Sequence, residues 1–150
     1  MKNKIILLVE DNADDEALTR RAFEKGRIKN ELVVMRDGAE ALDYLFSTGA
    51  YSARDKKELP QVVLLDLKLP KVDGHEVLRR IRSDARTRFL PVIILTSSRE
   101  EEDLVKGYKN GANSYIVKPV DSAQFTECIQ QMGLYWLVLN ESAQPIQNSP

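Results

Sequence analysis

Five short apolar runs alternate with five helical patterns along this chain, and that alternation restricts the fold more than any other feature. The runs occupy residues 5–9, 32–35, 62–65, 92–95 and 115–117. They are β-branched or leucine-rich and continuous, as strands covered on both faces are. Between them, apolar residues recur at helical spacing: Leu18, Ala22 and Phe23; Ala41, Leu42, Leu45 and Phe46; Val77, Leu78 and Ile81; Leu104, Val105 and Tyr108; Phe125, Ile129, Met132 and Trp136. Strict β–α alternation predicts an α/β fold with a parallel sheet. Right-handed crossovers leave few topologies for such units. The natural one for five strands is doubly wound, with the flavodoxin-like order 2-1-3-4-5, which places a ligand site where the order reverses, between strands 1 and 3.

At 150 residues the chain has the length of one domain. We read that domain as residues 1–139, followed by a polar tail at 140–150 with two prolines. A polar connection at 47–60 is longer than such links usually are. One cysteine excludes a disulfide framework or a multi-cysteine metal site. A net charge of -1 gives no global attraction to nucleic acid or an anionic membrane. The apolar start is too short for a spanning helix or a secretory core, so a cytoplasmic protein is expected.

The predicted crevice gathers carboxylates. Strand 1 runs into Glu10 and Asp11, and strand 3 ends in Asp66. Three like charges at one place are costly without a cation, and hard oxygen donors open to water suit Mg²⁺. As bare helix caps, three converging carboxylates would be a coincidence. Strands 4 and 5 end in Thr96 and Lys118, which brings a hydroxyl and an ammonium to the same sheet edge. A phosphoryl group fits that charge balance.

Four segments carry a family resemblance: Leu8-Val9-Glu10-Asp11-Asn12; Leu64-Leu65-Asp66-Leu67-Lys68-Leu69-Pro70 with Asp73-Gly74; Leu95-Thr96-Ser97; and Gly111 through Pro119. Together, and in this order, they resemble the receiver domain of two-component response regulators over about residues 4–135. The resemblance implies that Asp66 accepts a phosphoryl group from a sensor histidine kinase. It implies that Glu10, Asp11, Asp66 and the Lys68 backbone carbonyl hold Mg²⁺, with Glu10 acting partly through water. Lys118 would bind the phosphoryl oxygens, and Thr96 and Tyr115 would act as switch residues. Pro119 would follow a cis bond. Output would pass to a downstream protein target or a phosphotransfer protein. The length of the 47–60 connection, Leu69-Pro70-Lys71 and Trp136 further resemble the small response regulators partnered with bacterial phytochromes.

The rival reading is a metal-dependent phosphatase with Asp66 as nucleophile. It needs a second aspartate two positions on, where Lys68 stands. His75, the single histidine, is expected on the surface of helix 3. The apolar run 134–139 would present side chains all round a helix, so Tyr135, Trp136 and Leu139 are expected at a homodimer interface coupled to phosphorylation.

Overall fold

The computed structural model describes residues 4–106 and 110–134. Within them one parallel sheet forms from β1 (Ile5–Val9), β2 (Glu31–Met35), β3 (Val62–Asp66), β4 (Val92–Thr96) and β5 (Ser114–Val117). Its order is β2-β1-β3-β4-β5, the doubly wound arrangement expected from the alternation. The central strands β1, β3 and β4 are almost wholly buried, while the edge strand β2 keeps partial exposure at Leu32, Val33 and Val34.

The helices are α1 (Ala13–Lys25), α2 (Gly38–Phe46), α3 (Gly74–Ser83), α4 (Arg99–Lys106) and α5 (Ser122–Gln131). Alternate strand residues feed two cores, because side chains on a strand point to opposite faces in turn. Leu7, Val63 and Ile94 pack with Leu45, Leu78 and Val105 of α2, α3 and α4. Ile6, Leu64 and Ile93 pack with Phe23 and Phe125 of α1 and α5. The rings of Phe23 and Phe125 lie 4.7 Å apart, centroid to centroid.

Most helices start on a side-chain cap. Asn12 accepts the Asp15 N–H, Asp37 the Glu40 N–H, Asp73 the Glu76 N–H and Asp121 the Gln124 N–H. These caps set the direction in which each helix leaves the ligand end of the sheet.

Four details differ from the sequence expectation. Leu18 is 38% exposed, and α1 instead turns Glu16, Thr19 and Phe23 inward. The buried face tolerates Glu16 because Arg36 and Arg20 pair with its carboxylate at 2.7 and 3.1 Å. Leu104 is 64% exposed, and α4 buries Glu102 and Val105 in its place. The 47–60 connection contains a short 3₁₀ turn, Gly49–Tyr51, whose Tyr51 ring meets Tyr44 edge-on at 5.3 Å. There the Arg54 guanidinium stacks 3.7 Å above the Tyr44 ring and donates to the Tyr44 and Glu58 carbonyls. Last, α5 ends at Gln131 instead of running on to Trp136. Gly133 turns the backbone at φ 73°, and the Leu134 N–H closes onto the Ile129 carbonyl. Tyr135, Trp136 and Leu139 lie outside the described residues.

Candidate functional site: an acidic crevice with a partly buried lysine

Strand register explains how the crevice is assembled. Val9 pairs with Leu65, so Glu10 follows β1 beside Asp66 at the end of β3. Asp66 pairs with Leu95, and Leu95 pairs with Ile116. Lys118 therefore stands two residues beyond the level of Asp66, and its long stem reaches back across the sheet edge. Its ammonium donates to Asp66 Oδ2 at 2.8 Å, to Asp15 Oδ2 at 2.9 Å and to Glu10 Oε1 at 3.2 Å. The second oxygen of Asp66, Oδ1, accepts the backbone N–H of Lys68 at 3.0 Å. The Lys118–Pro119 peptide is cis.

Glu10 and Asp66 are buried, at 1% and 6% exposure, whereas Asp11 faces solvent. Glu10, Asp11 and Asp66 each offer a carboxylate oxygen, and these lie within 4.8 Å of one another. Burial pushes the Glu10 carboxyl up to about 8. The charge of Asp66 adds to this, as does a hydrogen bond to Asp66 that only the protonated form donates; Lys118 and the Asn12 N–H pull the other way. Burial alone would depress the Lys118 ammonium, but its hydrogen bonds to Asp66 and Asp15 and the charges of Asp66 and Glu10 hold it above the ordinary lysine range. All-oxygen donors, two inside and one at the rim, fit a hard divalent cation that keeps part of its water shell.

The crevice mouth is spanned by charged side chains. Lys68, after β3, pairs with Glu101 of α4 at 3.2 Å. The same glutamate accepts the Ser97 N–H at 2.6 Å and the Ser97 hydroxyl at 3.1 Å. Although burial opposes it, these donors hold the Glu101 carboxyl below the usual range.

The structure thus brings Glu10, Asp11, Asp66 and Lys118 together. It does not bring Thr96 and Tyr115 to them. Thr96 is fully buried, and its hydroxyl donates to the Ile116 carbonyl at 3.5 Å. The Tyr115 hydroxyl donates to Asn110 Oδ1 at 3.3 Å, with the Lys106 ammonium 5.8 Å from the centre of its ring. His75 is exposed, as expected. Asp15 and Glu101 also belong to the crevice, although neither stands out in the sequence. The available signal for Asp15 is its place three residues after the Asn12 cap, which turns a first-turn acid toward the strand ends; Glu101 has no comparable signal.

A doubly wound five-stranded sheet with three carboxylates and a lysine at its switch point defines a signalling receiver. The chain belongs to the response regulator receiver domain family, whose model matches residues 6–130. It is 43% identical over 141 residues to the probable methanogenesis regulatory protein FilR2 of Methanothrix harundinacea, covering 94% of this chain and 88% of that one. Among solved structures it is similar to the bacteriophytochrome response regulator AtBRR, with 54% identity and a TM-score of 0.85 over 93% of this chain and 99% of that one. It is also similar to the phosphorylated cyanobacterial phytochrome response regulator RcpA, with 38% identity and a TM-score of 0.70 over 91% and 95% of the two chains.

Proposed function

We propose that this receiver accepts a phosphoryl group on Asp66 from a sensor histidine kinase of the phytochrome type and signals through altered protein contacts. The observation that carries this reading is Asp66 itself. One of its oxygens is held by Lys118 and the other by a backbone N–H, beside two further carboxylates able to share a cation. In the transfer, an Asp66 oxygen attacks phosphorus as the P–N bond to the donor histidine breaks. The imidazole leaves with the bonding pair and takes up a proton. Mg²⁺ bound by Glu10, Asp11, Asp66 and the Lys68 carbonyl would supply the positive charge that lets a phosphoryl dianion approach. Lys118 neutralises the transferred oxygens, and Thr96 and Tyr115 rearrange once they arrive. Likeness to AtBRR and RcpA supports the kind of kinase. We further propose that the domain extends to about residue 139 and that Tyr135, Trp136 and Leu139 mediate self-association.

Intact-mass measurement with acetyl phosphate tests the assignment. With Mg²⁺ the wild type should gain one phosphoryl group, and Asp66→Asn or a chelator should abolish the gain. Label that persists in Asp66→Asn would place the acceptor elsewhere.

A further inference from the structure

The charged span over the crevice bears on the same reaction, and its role depends on Asp66 being the acceptor. A phosphorylated aspartate brings nearly two negative charges and three oxygens that need donors. Lys118 and the Lys68 N–H already serve Asp66. Three further donors at the mouth are the Ser97 N–H, the Ser97 hydroxyl and the Lys68 ammonium, and Glu101 holds all three. Ser97 follows β4, the strand paired with β3, so its donors line the crevice that Asp66 lines. An incoming phosphoryl group therefore meets a carboxylate of its own sign seated on donors it could use.

We propose that Glu101 is an internal anion plug: its carboxylate occupies the outer oxyanion site of the unphosphorylated crevice, and a phosphoryl group on Asp66 displaces it. The exchange trades one set of hydrogen bonds for another and removes a like-charge contact. It has a consequence for α4, because Glu101 is the third residue of that helix. Once released, the first turn keeps the Ser98 hydroxyl on the Glu101 N–H and the Ser98 carbonyl on the Glu102 N–H. It loses its side-chain tie to the crevice. Occupancy of Asp66 is thereby converted into freedom of α4, through charge at Glu101.

Glu101→Gln tests this. The amide oxygen can still accept from Ser97, but the charge and the Lys68 pair are gone. Glu100→Gln is the control, since it removes a charge from an exposed neighbour in the same turn. Two readouts are taken with Mg²⁺ present: the initial rate of Asp66 labelling by acetyl phosphate, and the half-saturation concentration of fluoroberyllate, a phosphoryl mimic. Glu101→Gln should label about fivefold faster and bind fluoroberyllate about five- to tenfold more tightly, whereas Glu100→Gln stays within about twofold of wild type. Equal behaviour of Glu101→Gln and wild type, or of both variants, overturns the plug while leaving the acceptor intact. A wild type that neither labels nor binds fluoroberyllate overturns the acceptor reading, and the plug falls with it.

Discussion

Glu10 is buried against Asp66 and shares the Lys118 ammonium with it. Its carboxyl, pushed up to about 8, retains a proton through a pH range where an unfolded glutamate has lost it. Between about 4.5 and 8 the native state thus binds more protons at this residue than the unfolded chain. From that group alone, metal-free stability falls as pH rises through the window and levels off above it. A cation must displace this proton, so Mg²⁺ affinity should rise roughly tenfold per pH unit below about 8 and then flatten. Isothermal titration at several pH values measures this directly. A slope already flat between pH 6 and 7 would show that Glu10 is ionised there without metal. Lys118 carries the opposite burden. Lys118→Met leaves Glu10, Asp15 and Asp66 without their shared cation and should cost about 3 kcal/mol in urea unfolding, partly restored by Mg²⁺.

At the scale of elements, the start of α3 is fitted to the end of β3, which carries Asp66. The Gly74 N–H donates to the Leu67 carbonyl at 2.9 Å. A Cβ on Gly74 would stand 2.4 Å from the Asp66 carbonyl oxygen. On an exposed helix, glycine to alanine stabilises by up to about 1 kcal/mol. Here the methyl collides with backbone, which cannot swing aside as a side chain does. Gly74→Ala should therefore destabilise by about 2–3 kcal/mol and slow the proposed labelling of Asp66, since relief moves the loop that follows it. Wild-type stability and labelling in that variant would show that the corner yields freely. The connection after α2 follows similar physics. Its composition suggests an open polar loop, yet Arg54 fastens it by stacking on Tyr44 and bonding two carbonyls.

For the molecule as a whole, the sheet separates two apolar layers, and every strand feeds side chains into both. Phe125 is fully buried in the layer under α1 and α5, whereas Phe89 is 82% exposed after α3. Phe125→Ala should cost about 3–5 kcal/mol, and Phe89→Ala less than about 0.5 kcal/mol. Urea titration by fluorescence and by circular dichroism should give coincident transitions, because both layers rest on the same five strands. Separate midpoints would mean that the layers unfold independently.

The amino-acid sequence by itself determined the strands, their order and the meeting of Glu10, Asp11, Asp66 and Lys118. Continuous apolar runs have one stable use in a chain of this pattern, and a parallel sheet delivers every strand end to the same edge. Which way the helices rotate was decided only by tertiary structure. Leu18 and Leu104 face outward because Thr19, Glu102 and Val105 fit the space over the sheet, and the arginines and lysine that neutralise Glu16 and Glu102 come partly from other turns or elements. The end of α5 was likewise set by Gly133 and the Leu134 closure, against an apolar period that continues past them. Asp15 and Glu101 look like ordinary first-turn acids, whose charge favours any helix start. Only the folded distances, 2.9 Å to Lys118 and 2.6 Å to the Ser97 N–H, make them part of the crevice.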